Sequence, residues 1–373
     1  MQFSTSKLGL AKELNLLQGV VEKKNTIPIL SNVLLETAGQ SLITMVATDL
    51  DVSLQTECAA DVTEAGSVVV QAKKLFDIVR NLPDSDIHFI KEENDWTKIT
   101  CGLSEFKIVG QAKEHFPSTP QFNGAGLEIS ASLLHSLISR TIYAITQEES
   151  RYALNGALLL FSEGKLQVVA TDGHRLASVT ANVEKAGPTD EASQVRVIIP
   201  KKALTELLRL TSGSDEVVEF SKDDNHLYFR MGPRQLTSRV LAGQFPNYDL
   251  VMPKSNDKLV PVNADRITQA IKRAALMADE RSHGVKFDLA NGRLNITSQS
   301  ADVGEARETI AVDFQGDSLN IGFNAQYLLD FFAVVGSEEV VFEFKDDQSP
   351  ALLRPPTAEP YDYRYVVMPM RLL

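Results

Sequence analysis

The sequence predicts an α+β protein: three tandem copies of one domain, each with two helices packed on antiparallel sheet. Three observations carry that expectation. At 373 residues the chain is long enough for two or three domains, each able to bury its own core. A strand-helix-turn-strand motif recurs at about one third of the length. Between the helices, short segments alternate apolar and polar residues and are separated by Gly-containing turns, as strands do.

Each copy opens with a strand that leads into a helix. Phe3 precedes Leu8, Leu14, Leu17 and Val21; Leu127-Glu128-Ile129 precedes Leu133, Leu134, Leu137 and Ile138; Val260 to Val262 precede Ile267, Ile271 and Leu276, all at helical spacing. Alternating segments follow, such as Leu42 to Val46 and Leu158 to Phe161, with turns at Glu163-Gly164-Lys165 and Asn291-Gly292-Arg293. The second motif then appears three times. Val68 to Val70 lead into Lys73 to Arg80 and, past Asp84-Ser85-Asp86, into Ile87 to Phe89. Val195 to Ile199 lead into Leu204, Leu207 and Leu208 and then Val217 to Phe220; Leu319 to Phe323 lead into Leu328, Leu329 and Phe332 and then Val340 to Phe344. Smaller echoes agree: Ala47-Thr48-Asp49 returns as Ala170-Thr171-Asp172, and Phe116-Pro117 as Phe245-Pro246. A period of about 125 residues exceeds that of solenoid repeats, so each copy is expected to be a whole domain. The expected domains are 1–121, 127–252 and 258–373, with boundaries at the Pro, Gly and polar stretches between them.

Composition excludes several classes. Hydrophobic residues make up 43% and charged residues 23%, so the chain is a folding, not a disordered, sequence. Cys58 and Cys101 are too few for a disulfide framework, and no apolar run is long enough to span a bilayer. A cytoplasmic protein, neither exported nor membrane-bound, is expected. Walker loop, nucleophile elbow and paired-Cys motifs are absent, and Asn123-Gly124-Ala125-Gly126 lacks the third Gly of a dinucleotide fingerprint. The six histidines have no metal-ligand spacing, so neither cofactor nor metal is expected. Thr171-Asp172-Gly173-His174-Arg175 is the one cluster that could pass for an acid/base site. Its repeat partner Thr48-Asp49-Leu50-Asp51 keeps only Thr-Asp, which suits a turn better than a catalytic centre.

A net charge of −12 argues against a conventional nucleic-acid binder, but the charge is segregated. The six predicted helices, 7–21, 73–82, 131–144, 201–210, 265–277 and 325–335, together carry +7, which leaves −19 on everything else. If the copies form an arc, one basic layer of helices lines its inside.

The tail Tyr365-Val366-Val367-Met368-Pro369-Met370-Arg371-Leu372, the segment Ala170 to Ala177, and Thr26-Ile27-Pro28-Ile29-Leu30-Ser31-Asn32 carry a resemblance over the full length. In them the chain resembles the beta subunit family of bacterial DNA polymerase III, the sliding clamps. That resemblance implies a head-to-tail homodimer, a six-domain ring whose helices surround duplex DNA without sequence preference, and a nucleoid-associated location. It implies a pocket for short motifs of the replicative polymerase's catalytic subunit, an ATP-driven clamp loader, and other polymerases and repair proteins. Leu154, Thr171, Gly173, His174, Arg175, Leu176, Pro246, Val251, Val366 and Met368 match that pocket, with Pro369, Met370 and Arg371 beside it. DNA contacts fall on Lys24, Lys73, Lys74, Arg80, Gln147, Arg151, Tyr152, Lys202 and Arg209. The subunit contact falls on Phe106 and Ile108 against Leu276 and Met277, with Lys74 and with Asp302, Glu305 and Glu308. Leu103 and Glu105 depart from the pattern, standing where basic residues would oppose those acids. Two other classes stay open on the residues alone: an enzyme built on Asp172, His174 and Arg175, and a scaffold that binds only proteins.

Overall fold

The computed structural model describes residues 1–22, 27–122, 126–146, 148, 150–183, 194–358 and 360–371. The first copy runs β1 (Gln2–Ser6), α1 (Lys7–Val20), β2 (Asn32–Ala38), β3 (Leu42–Thr48), β4 (Val52–Ala59), β5 (Asp61–Glu64), β6 (Ser67–Gln71), α2 (Ala72–Asn81), β7 (Asp86–Lys91), β8 (Thr97–Cys101), β9 (Ser104–Ile108) and β10 (Gly110–Gln111). The second runs β11 (Leu127–Ser130), α3 (Ala131–Ser139), β12 (Gly156–Ser162), β13 (Lys165–Thr171), β14 (Arg175–Asn182), β15 (Val195–Pro200), α4 (Lys201–Thr211), β16 (Val217–Lys222), β17 (His226–Met231) and β18 (Arg234–Arg239). The third repeats that order as β19 (Lys258–Asn263), α5 (Ala264–Ala275), β20 (Gly284–Ala290), β21 (Arg293–Ser300), β22 (Gly304–Ala311), β23 (Leu319–Asn324), α6 (Ala325–Phe332), β24 (Glu339–Phe344), β25 (Ala351–Arg354) and β26 (Asp362–Val367). The α+β architecture and the threefold repeat are both present; among the described residues the short β5 and β10 have counterparts in neither other copy.

Helix starts follow from local chemistry. Ser6, Asn263 and Asn324 each accept a backbone N–H from the first turn of α1, α5 and α6, relieving donors that a helix N-terminus leaves open. The buried stripe of α1 is Leu10, Glu13, Leu14, Leu17 and Val20, whereas Leu8, expected on that stripe, is 68% exposed. The helix expected over 131–144 stops at Ser139. There the hydroxyls of Ser139 and Thr141 turn back onto the carbonyls of Ser136 and Leu137, at 3.2 and 2.9 Å, and compete with the helical ladder.

Among the described residues two compact units result, one within 1–135 and 202–240, the other within 136–183, 194–201 and 241–371. In the first, one sheet has the order β5-β1-β7-β8-β9 and another β10-β6-β2-β3-β4-β18-β17-β16-β11. The second sheet is continuous between copies because β4 pairs with β18, Ser53 opposite Thr237. Below that seam Arg234 grips Glu13 through two hydrogen bonds of 2.9 and 2.6 Å, and the Thr56 hydroxyl donates to the same carboxylate at 2.5 Å. Burial alone would raise the Glu13 pKa; the Arg234 and Thr56 hydrogen bonds and the Arg234 charge outweigh it and hold the carboxyl below its ordinary value.

The other unit has sheets ordered β15-β12-β13-β14-β26-β25-β24-β19 and β22-β21-β20-β23. The first of these is again continuous between copies, with β14 against β26 and Leu176 opposite Val366. Within each unit the two sheets and the helices enclose apolar cores, such as Phe3 stacked on Phe89 at 4.7 Å and Phe331 on Tyr365 at 5.0 Å. No helix among the described residues is long and apolar enough to cross a membrane.

Candidate functional site

The Thr-Asp-Gly-His-Arg segment is the turn between β13 and β14. Thr171 donates its hydroxyl to the Arg175 carbonyl at 2.6 Å, and Asp172 Oδ1 accepts the backbone N–H groups of His174 and Arg175 at 2.9 and 3.0 Å. Gly173 sits at φ +89°, where a side chain would be strained, and a Cβ there would meet Arg151 at 2.9 Å. The first copy builds the same turn, with Thr48 bonded to Val52 and Asp49 Oδ1 accepting from Asp51 and Val52. The shared Thr-Asp is therefore spent on backbone geometry, which accounts for its recurrence without chemistry.

Arg175 is enclosed, at 10% side-chain exposure. Its Nε donates to Asp172 at 3.0 Å, one Nη to Asp330 at 2.6 Å and the other to the Tyr143 carbonyl at 2.8 Å. Tyr327 and Tyr143 lie against the guanidinium with ring centroids at 4.3 and 5.4 Å. Burial opposes its charge, but Tyr365, Asp330 and Asp172 more than compensate and raise its pKa. With its fork committed, Arg175 shapes the site by tying β14 to α6, while His174 stacks on Tyr327 at 6.5 Å.

Around this turn lies an apolar cluster. Leu158, Val169, Leu176, Ile198, Phe245, Leu352 and Val366 are buried, and Leu154, Tyr248 and Met252 are partly buried against them. Met368 and Val251 stay 41% and 42% exposed. The tail is held in place by the Met368 N–H donating to the His174 carbonyl at 2.9 Å and the Met370 N–H to the Gly322 carbonyl at 2.8 Å. Pro246 and Arg371 are exposed and Pro369 half-buried. Leu154, Leu176 and Val366, chosen from sequence, thus share one cluster; Phe245, Tyr248, Met252, Tyr327 and Asp330 were missed. The Phe116-Pro117 and Phe245-Pro246 echo was the available signal for Phe245.

Among the described residues the two seams differ in polarity. The first copy has an equivalent apolar group, Leu34, Val46 and Val69 with Ile29 and Phe116. At its seam, however, Ser53 and Thr237 occupy the places of Leu176 and Val366. Two hydroxyls replace two buried aliphatic side chains, so the seam of β14 and β26 is the more apolar of the two at this position.

The basic residues divide into two groups. Lys73 and Lys74 are exposed on the first turn of α2, and Arg80 lies over Phe76 with a 3.4 Å contact to Asp77. Tyr152 is 73% exposed, while Arg151 bonds to Glu148 and to the Asp172 carbonyl. Lys202 and Arg209 are tethered: Lys202 to Asp49 and the Val20 carbonyl, Arg209 to Glu206 and the Asn15 carbonyl. Lys24 and Gln147 lie outside the described residues.

Phe106 (39% exposed) and Ile108 lie on β9, the last strand of its sheet. Leu276, just past α5, is 73% exposed, and Met277 is half-buried. Asp302 precedes β22, again a last strand, which carries Glu305 and Glu308; Glu308 is bound by Arg273 at 2.9 and 2.6 Å. Leu103 is fully exposed and Glu105 pairs with Lys98 at 2.9 Å.

Three family models match the chain: the N-terminal, central and C-terminal domains of the DNA polymerase III beta subunit, over residues 1–120, 128–247 and 249–371. Among curated relatives, the beta sliding clamp of Pseudomonas aeruginosa is 38% identical and that of Caulobacter vibrioides 35%, each with both chains fully covered. Among solved structures, the P. aeruginosa clamp bound to griselimycin has a TM-score of 0.93 at 37% identity. The Bacillus subtilis sliding clamp has a TM-score of 0.93 at 28% identity; both comparisons cover each chain in full.

Proposed function

The chain belongs to the DNA polymerase III beta subunit family, the beta sliding clamps, and on that premise we propose how it works as a clamp. It is a non-catalytic processivity factor that tethers polymerases. Two copies associate head to tail into a ring around duplex DNA, opened by an ATP-driven loader. The seam surface of Leu154, Leu176, Val251, Val366 and Met368 takes the Leu or Phe anchor of a short partner motif, with adaptable Met368 at its rim.

The observation that carries this reading is the repetition of one junction. β4 pairs with β18 and β14 pairs with β26. By position in the repeat, β22 matches β4 and β14, and β9 matches β18 and β26; each ends its own sheet. A second copy supplies the missing neighbour at both, and a heterologous contact that closes after two copies gives a ring. Phe106, Ile108, Leu276 and Met277 supply its apolar contacts, and Lys74 and the acids Asp302, Glu305 and Glu308 its charges.

DNA contact falls to Lys24, Lys73, Lys74, Arg80, Gln147, Arg151, Tyr152, Lys202 and Arg209, which would meet phosphates and so permit sliding. The exposed Lys73 and Lys74 are free to do so; Lys202 and Arg209 must first exchange their carboxylate partners. Primer extension on a long single-stranded template tests the function. With a loader and ATP the protein should lengthen the products of one polymerase-binding event, and unchanged product length would reject it.

A further inference from the structure

We infer that the two copies meet in one antiparallel register, β22 of one against β9 of the other, with Glu105 opposite Arg307 and Lys107 opposite Glu305. The inference rests on the homodimer reading above and deepens it. The register follows from the two seams inside the chain. In β3 and β13, Thr48 and Thr171 lie opposite Ser53 and Leu176; the same position in β21 is Gln299, which lies opposite Glu305. In the closing hairpins Met231 pairs with Arg234 across Gly232, and Cys101 with Ser104 across Gly102, which aligns Thr237 with Lys107. Both internal seams use one register, Ser53 opposite Thr237 and Leu176 opposite Val366. Carried to the third junction, it sets Glu305 against Lys107 and Arg307 against Glu105. On the other face Phe106 and Ile108 meet Ala306 and Gly304, large side chains over small ones.

The charges select this register. A slip of two residues one way brings Glu105 onto Glu305, and the other way Lys107 onto Arg307. A slip of one residue turns every side chain to the wrong face. Glu105 already pairs with Lys98, and Lys107 with Glu92, on the side away from the seam. Among the described residues Arg307 and Glu305 have no ion pair within the chain. Joining the edges therefore completes two alternating ladders, Lys98-Glu105-Arg307 and Glu92-Lys107-Glu305. The acidic residue at 105, where the family pattern is basic, is thus matched by a basic residue at 307.

Sedimentation equilibrium at low salt tests the pairing. Glu105→Arg and Arg307→Glu should each weaken dimerisation at least about fivefold, since like charges directly opposite repel, and the two together should restore it to within about twofold. Independently, Glu105→Cys with Arg307→Cys should form an intersubunit disulfide under mild oxidation, and Lys107→Cys with Arg307→Cys should not. A dimeric wild type with no rescue, or with crosslinking in the second pair instead, overturns the register alone. A wild type that stays monomeric at all concentrations overturns the homodimer reading as well.

Discussion

Replacing Met368 and Val251 with Ala should weaken motif binding while leaving the fold intact. Both side chains are about two-fifths exposed, 41% and 42%, so truncation opens no core cavity. A ligand that covers the open part of Met368 removes roughly 80 Å² from water, and Val251 adds roughly 60 Å². At about 25 cal/mol per Å² the pair contributes roughly 3.5 kcal/mol as an upper bound, and half of that is already more than tenfold in affinity. Fluorescence anisotropy with a short labelled peptide bearing Leu and Phe anchors measures it. The double variant should bind at least tenfold more weakly, with thermal midpoint and oligomeric state unchanged. Affinity within threefold of wild type would refute the assignment of the anchor surface.

The Arg234→Met variant should be destabilised by about 3 kcal/mol or more, because Glu13 is left charged and buried; urea titration measures this. The wild-type pair should also be pH-sensitive: the Glu13 pKa is depressed in the fold, so its contribution is complete above the unfolded-state value and lost as pH falls through the lower folded one. Glu13→Gln should flatten that acid limb. Asp at both Leu276 and Met277 should yield monomers by light scattering, since each carboxylate would be desolvated without a partner; a dimer at unchanged concentration would place the contact elsewhere.

The repeat was legible because each copy keeps the strand-to-helix starts and the first two keep the Thr-Asp turn, features set by local chemistry. Helix ends were less so: the stop at Ser139 depends on hydroxyls that fold back on carbonyls, which spacing of Leu and Ile does not report. Charge counting located basic helices but not that Lys202 and Arg209 are held by Asp49 and Glu206, since those pairs form between residues distant in sequence or one turn apart. At the candidate site, Leu176 and Val366 were accessible through the resemblance. The reason for them, a seam whose counterpart carries Ser53 and Thr237, needs the strand register. Arg175 was read as part of the binding surface; two of its three bonded nitrogens go to Asp330 and the Tyr143 carbonyl, which no motif marks.

Encirclement of duplex DNA is tested by opening the DNA under the bound protein. The protein is loaded on nicked circular duplex, the salt is raised, and the circle is then linearised while bound protein is followed. A chain of net charge −12 should bind free duplex weakly, so retention must come from closure of the ring. Ordinary phosphate binders with six to ten contacts lose about 10³ to 10⁵ in affinity between 50 and 200 mM salt. A closed ring should survive on intact circles at that salt and be lost rapidly once the DNA is cut. Equal, salt-sensitive loss from circular and linear DNA would contradict it.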